Sequence, residues 1–81
     1  MTMSNSEVFN KVKAIIADKL AVDENSITRE SSFVNDLKAD SMDILDLVSG
    51  FEEEFDITIP DDKGRTFETV GEVVDYLATL I

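Results

Sequence analysis

The spacing of the apolar residues constrains the fold of this chain more than any other feature of its sequence. In three segments the apolar side chains recur every three or four residues, which places them along one face of a helix. No segment shows a strand pattern of comparable strength. Three amphipathic helices in a chain of 81 residues predict an all-α fold, a small bundle that forms a single domain over residues 1–81. The three apolar stripes comprise Val8, Val12, Ile15 and Ile16; Ile44, Leu47, Val48, Phe51 and Phe55; and Val70, Val73, Val74, Leu77 and Ile81.

Capping patterns locate the start of the first helix. Ser4 and Glu7 have the spacing of a capping box. Met3 and Val8 stand at the positions of a hydrophobic staple around that box. The first helix should therefore run from residue 5 to about residue 20.

A second capping box, formed by Thr69 and Glu72, predicts the start of the last helix, which should reach the C-terminus. Before it, Pro60 disfavours helical angles in the preceding residue, so residues 57–60 should form an extended link. Residues 61–65 should form only one short helical turn.

A long first loop connects the first helix to the middle one. Residues 21–39 show no regular period, and a loop of this length in a small domain is typical of a functional segment. Its irregularly spaced apolar residues should pin the loop to the core at several points. These residues are Ile27, Phe33, Val34 and Leu37.

Ser41 stands where this loop meets the middle helix, which should run from residue 41 to about residue 55. Asp40 is the expected N-cap, and Asp43 lies in the first turn, where a carboxylate suits the helix dipole. A serine at this position is ordinarily a cap or merely exposed. However, the free N–H groups of a helix start are suited to holding a phosphate, and Lys38 is close enough in sequence to help. A phosphate esterified to Ser41 could therefore be held here.

The outer face of the middle helix combines apolar and acidic side chains. At about 100° per residue, Met42 and Leu45 lie opposite the apolar stripe and are surrounded by acids. Such a face is ordinarily just solvated, but beside a candidate attachment point it has the composition of a docking surface for a basic partner. This predicted docking face comprises Met42, Asp43, Leu45, Asp46, Ser49, Glu52 and Glu53.

The charge balance excludes several partners. The chain has 18 acidic and 7 basic residues, a formal charge of −11, and residues 36–62 alone carry nine net negative charges. Nucleic acid and anionic membrane surfaces would repel such a protein.

Missing residue types exclude several chemistries. The chain has no Cys and no His, so it lacks thiolate nucleophiles, imidazole catalysis and the best transition-metal ligands. An EF-hand loop beginning at Asp36 would place Lys38 where an oxygen ligand is needed and Ser41 where glycine is needed.

No apolar run approaches the ~20 residues of a membrane span, and no signal-peptide pattern is present. We therefore expect a cytoplasmic protein with no metal site and no enzymatic activity of its own.

The stretch from Ser32 to Asp43, SFVNDLKADSMD, resembles the signature of the acyl carrier proteins, in which an Asp-Ser-Leu triplet carries the attachment serine. The segments FEEEFD at 51–56 and IPD at 59–61 are similar to the family's second-helix end and following link. Thr69-Val70 and Asp75-Tyr76 are similar to its last helix. These motifs occur in one colinear frame that covers nearly the whole chain.

This resemblance implies that a phosphopantetheinyl transferase attaches 4′-phosphopantetheine from coenzyme A to Ser41. The thiol of the arm would hold acyl groups as thioesters, and partner enzymes with basic docking surfaces would perform the reactions. Asp40 and Lys38 would flank the attachment site. The implied role is that of a monomeric carrier in fatty acid biosynthesis.

Several positions depart from the familiar bacterial pattern. Lys38 replaces a common Gly, Met42 the usual Leu, and Gly50 a frequent Ala; Ser49 stands where an apolar residue is frequent. Residues 63–65, Lys-Gly-Arg, make the third-helix region less acidic and less helical than in many members. These departures leave open a specialised carrier for polyketide or other lipid pathways. Outside the family, the remaining alternative is an unmodified acidic adaptor that binds basic partners.

Overall fold

The computed structural model describes residues 4–80 and confirms the predicted all-α fold. Within that range the chain forms no strand, and its single isolated β-bridge joins Ser32 to Thr69. Two of the predicted positions, Met3 in the hydrophobic staple and Ile81 in the last stripe, lie outside the described residues. The helices are α1 (Asn5–Leu20), α2 (Ser41–Phe55), α3 (Asp61–Gly64) and α4 (Val70–Leu80), with a 3-10 turn at Glu24–Ser26.

The N-terminus of α1 is closed by the predicted capping box. The backbone N–H of Glu7 donates to Ser4 Oγ over 3.2 Å, and Glu7 Oε1 accepts from the backbone N–H of Ser4 over 3.4 Å. The helix ends at Ala21, which adopts the left-handed conformation. Both ends lie within one residue of the prediction, because caps are local interactions.

Only half of the second predicted capping box forms. Thr69 Oγ1 accepts from the backbone N–H of Glu72 over 3.4 Å, as expected. The Glu72 carboxylate, however, accepts from the N–H of Glu68 rather than from Thr69. Bonds to the first loop hold this entry segment extended, since the N–H of Phe33 donates to the carbonyl of Glu68 over 3.0 Å. The pairing of the first loop with the segment before α4 therefore determines which backbone N–H donates to the Glu72 carboxylate.

The core lies between the apolar stripes of α1, α2 and α4 and is closed by the first loop. Ile44 of the predicted α2 stripe is only partly buried, and so is Ile15 of α1. Ile44 lies near the N-terminal end of α2, where it lines two surface grooves. The buried apolar side chains are Val8, Val12, Ile16, Ile27, Phe33, Leu37, Ala39, Leu47, Val48, Phe51, Phe55, Ile59, Phe67, Val70, Val73, Val74 and Leu77.

The first loop is pinned to the core through Ile27, Phe33 and Leu37, as predicted. The prediction for Val34 is wrong, because its side chain is 61% exposed. Ser32 turns the chain here: its N–H donates to Asp36 Oδ2 over 2.7 Å, and its hydroxyl accepts from a backbone N–H three residues later. Val34 falls on the outer edge of this turn.

The same loop is bonded to the start of α4. The N–H of Val70 donates to the carbonyl of Ser31 over 3.1 Å, and the N–H of Gly71 donates to that of Arg29 over 2.8 Å. A methyl group on Gly71 would approach the Arg29 carbonyl oxygen to 3.0 Å. Loop and helix are thus in backbone contact, which fixes the path of the loop toward α2.

Gly50 in the middle of α2 faces α1 at close range. A Cβ at this position would lie 3.1 Å from Ile15 Cγ2 and 3.2 Å from Lys19 Cε, both on α1. Alanine is favoured over glycine in mid-helix by about 1 kcal/mol, but here it would require these two side chains to shift by a few tenths of an ångström.

Candidate functional site

The end of the first loop holds Ser41 in a defined position. Leu37 and Ala39 are buried, and the N–H of Ala39 donates to the carbonyl of Phe33 over 2.8 Å. The chain is therefore anchored two residues before Ser41. The position of Ser41 is therefore fixed even though the loop that precedes it is irregular.

A reciprocal capping box closes the N-terminus of α2. Asp40 Oδ1 accepts from the backbone N–H of Asp43 over 2.9 Å, and Asp43 Oδ2 accepts from that of Asp40 over 3.1 Å. The predicted N-cap is thus confirmed. The return bond from Asp43 was not predicted, because the sequence pattern of a capping box has Glu or Gln at this position. Since the two aspartates provide the caps, the exposed Ser41 side chain is not needed as one.

The surroundings of Ser41 suit a phosphate ester. The first helical bond into the N-cap carbonyl comes from Ile44, so the N–H groups of Ser41 and Met42 have no acceptor within the helix. These donors and the helix dipole favour an anion at the first turn. The residues present therefore fit a phosphodiester on the Ser41 oxygen.

An open groove of about 420 Å³ begins at Ser41. Its lining combines the serine with the apolar side chains of Ile44 and Leu45 and with the guanidinium-bearing Arg65 at the end of α3. We call it the Ser41 groove. Arg65 was not predicted as a site residue, because it lies 24 positions along the chain from Ser41. The only sequence feature that pointed to it was the unusual basic composition of residues 63–65.

A much smaller void lies on the core side of the same helix. Its volume is about 10 Å³, roughly the space of one water molecule. Ile44 lines both this void and the Ser41 groove. The remaining lining side chains are apolar apart from a glycine: Phe33, Leu47, Val48, Phe51, Gly64, Phe67 and Val73.

Lys38 is exposed and adopts the left-handed conformation, with φ of 58°. A side chain in this region of φ and ψ costs roughly 1–2 kcal/mol, whereas glycine adopts it freely. Lys38 therefore adopts this conformation at a cost that glycine would not have. Lys38 is three residues before Ser41 in the sequence, but it does not line the Ser41 groove.

Lys38→Gly should therefore raise the free energy of unfolding by about 1 kcal/mol, because it relieves the left-handed strain. Urea unfolding followed by far-ultraviolet circular dichroism measures this change. Lys38→Ala is the matched control: it also removes the charge but keeps the Cβ, so its stability should stay near that of the wild type. Equal effects of the two substitutions would assign the gain to loss of the charge instead.

The predicted docking face divides into two parts in the structure. Met42 and Leu45 are 69% and 42% exposed, and Asp46, Ser49 and Glu53 are also exposed. Their outward position matches the prediction.

The other two predicted docking residues are partly buried and serve the backbone. Asp43 is held in the capping box. Glu52 Oε2 accepts from the backbone N–H of Ile59 over 2.8 Å and so ties the end of α2 to the link before α3. Both carboxylates have a structural role that the helical spacing alone did not reveal.

The chain is similar to known proteins in both sequence and structure. Residues 10–77 match the family model described as "Phosphopantetheine attachment site". The chain is 54% identical over 74 residues to an acyl carrier protein of Picosynechococcus sp., covering 91% of each chain. It is 53% identical over 70 residues to an acyl carrier protein of Clostridium perfringens, covering 86% of this chain and 92% of that one.

A solved structure has the same fold. It is described as the acyl carrier protein from Enterococcus faecalis and superposes with a TM-score of 0.78 at 34% identity, covering 95% of this chain and 98% of the other. No helix among residues 4–80 is long and apolar enough to span a membrane. With a matching family model over most of its length, close relatives in two bacteria and a shared fold, this chain belongs to the acyl carrier proteins, which bear covalent 4′-phosphopantetheine and are carriers rather than enzymes.

Proposed function

We propose that Ser41 is the attachment serine and that this single carrier domain, residues 1–81, delivers acyl thioesters to the enzymes of fatty acid biosynthesis. One observation carries the assignment: Ser41 is exposed at the first turn of α2 while Asp40 and Asp43 provide the caps. Its hydroxyl is thus free to react without loss of a helix cap. Two further observations support Ser41 as the attachment serine. It lies within residues 10–77, which match the family model, and the motif around it resembles the family's signature.

The attachment reaction balances without any other group from this chain. The Ser41 oxygen forms a phosphodiester with the pantetheine phosphate of coenzyme A, and the bond between the two phosphates breaks. An adenosine bisphosphate leaves, and the hydroxyl proton passes to a base of the transferase. Once attached, the arm supplies a thiol that holds acyl groups as thioesters, which this Cys-free chain cannot supply itself.

The residues of the domain position the attachment point rather than react. The capping box fixes the first turn of α2, and the free N–H groups of Ser41 and Met42 favour the phosphate charge. Acyl groups held at this point reach partner enzymes at a raised local concentration. The net charge of −11 favours a monomer, since a second copy would be repelled.

Mass spectrometry tests this function. Incubation with coenzyme A and a phosphopantetheinyl transferase should add the mass of phosphopantetheine to every molecule. An unmodified adaptor would gain no mass, which would overturn the proposal. Native mass spectrometry of protein from its own cells should then show fatty acyl thioesters; polyketide or other specialised acyl groups would instead assign the chain to another pathway.

The exposed part of the docking face should bind those enzymes. Its apolar pair, Met42 and Leu45, lies beside Ser41 and is flanked by Asp46 and Glu53. Acidic side chains attract a basic partner and mainly raise the association rate, whereas desolvated apolar side chains mainly slow dissociation.

Two substitutions should therefore affect binding of the transferase in different ways. Asp46→Lys should lower the association rate most strongly at low ionic strength, where charges are least screened. Leu45→Ala should raise the dissociation rate, several-fold or more, with weaker dependence on salt. Stopped-flow binding measurements between about 0.01 and 0.5 M salt separate the two effects.

Asp18→Lys is the charge-matched control, because Asp18 is exposed on α1 rather than on the docking face. It should leave both rates nearly unchanged. If Leu45→Ala clearly lowered the unfolding midpoint and left dissociation of the folded protein unchanged, Leu45 would be a packing residue and would not belong to the docking face.

A further inference from the structure

Arg65 lines the Ser41 groove although it belongs to a different part of the chain, the end of α3. Its backbone N–H donates to the carbonyl of Asp61 over 3.1 Å, which fixes it at the end of α3. Arg65 is exposed and is one of the residues that line the groove beginning at Ser41. It also lines a neighbouring groove with Ser32 and Asn35 of the first loop. The tertiary structure thus places Arg65 on the same groove as the attachment point.

The charge of Arg65 is not engaged by a carboxylate in the described part of the chain. Between residues 4 and 80, the ion pairs within 4.0 Å are formed by Lys11 with Glu54 and by Arg29 with Asp75. Two further lysines lie over aromatic rings of the domain. Arg65 therefore remains available to an anion in the groove, even though residues 36–62 carry nine net negative charges.

We propose that Arg65 is a positioning residue that binds the phosphodiester joining Ser41 to the arm. This inference rests on the proposed attachment at Ser41. A planar guanidinium donates two parallel hydrogen bonds to phosphate oxygens, which orients the phosphate as well as attracting it. In so acidic a domain this cation also offsets the repulsion between the new phosphate and the surrounding carboxylates. The arm would leave the first turn of α2 along the wall formed by Ile44 and Leu45.

Lys38 is the competing cation, because it lies close to Ser41 in sequence. It projects from the first loop and does not line the Ser41 groove, whereas Arg65 does. An ammonium group is also a point charge without the paired donors of a guanidinium. The geometry therefore favours Arg65.

Phosphorus-31 NMR of the fully loaded protein tests this role. Wild type, Arg65→Gln, Arg65→Lys, Lys38→Gln and the control Lys19→Gln are loaded with excess transferase, and mass spectrometry confirms each loading. The wild-type resonance should differ from that of Arg65→Gln at about 0.01 M salt and approach it as salt rises toward 1 M, where the Debye length falls from ~30 Å to ~3 Å. The resonance of Arg65→Lys should lie between these two. That of Lys19→Gln should match the wild type, because Lys19 belongs to α1 and lies beside Gly50 rather than at the Ser41 groove.

Each outcome has a distinct meaning. A wild type that gains no mass would refute the proposed function itself. Loaded Arg65→Gln with a wild-type resonance at every salt concentration would refute only the role of Arg65, and a shift confined to Lys38→Gln would transfer that role to Lys38. Thermal unfolding of the unloaded variants should coincide with that of the wild type, and a resonance shift accompanied by a lowered midpoint in both Arg65 variants would make Arg65 structural instead.

Discussion

Ser41→Ala should gain no mass on incubation with coenzyme A and a transferase under conditions that convert the wild type completely. The effect is all or none, because the substitution removes the oxygen that forms the new phosphodiester. The domain should still fold, since the Ser41 side chain is exposed and the helix is capped by Asp40 and Asp43.

Ser49→Ala is the matched control for this experiment. Ser49 is exposed two turns further along α2, so its substitution should leave loading complete. The unfolding midpoints of both variants should lie close to that of the wild type. Mass gain by Ser41→Ala would show that the arm is attached elsewhere, and the assignment of the site would be wrong.

The largest loss of stability should come from truncation of Phe51. Its ring is 1% exposed, belongs to the buried core and lines the small void beneath α2. Phe51→Ala should lower the free energy of unfolding by about 3–5 kcal/mol, the sum of lost burial and an enlarged cavity. Since small domains are stable by only about 5–15 kcal/mol, this loss would remove a large part of the total stability.

Urea unfolding followed by circular dichroism measures this loss, with Val34→Ala as the control. Val34 is an apolar residue of the first loop that is 61% exposed, so its truncation should change stability by less than about 0.5 kcal/mol. A large loss at Val34 would mean that the loop packs inward in solution. A small loss at Phe51 would mean that the core collapses around the missing ring.

The Ser41 groove shows how far the sequence predicts the site. Asp40 and Ser41 were predicted as cap and attachment point, because both depend on a helix start that is encoded within a few residues. Arg65 was not predicted, because only the packing of α3 beside α2 brings it to the groove. Similarly, Glu52 lay within a predicted acidic face, yet its bond to Ile59 depends on the path of the chain after the helix.

The sequence by itself determined the helices: the bounds of α1 and α2 agree with periodicity and capping patterns because these interactions act within four residues. Only the tertiary structure decided how the connecting segments are arranged. The bridge between Ser32 and Thr69 sets the turn that exposes Val34, and the packing of α2 against α1 places Gly50 beside Ile15 and Lys19. The physical reason is that such contacts join residues far apart in the chain. The local spacing of residues, from which helices are predicted, carries no information about which distant groups come into contact.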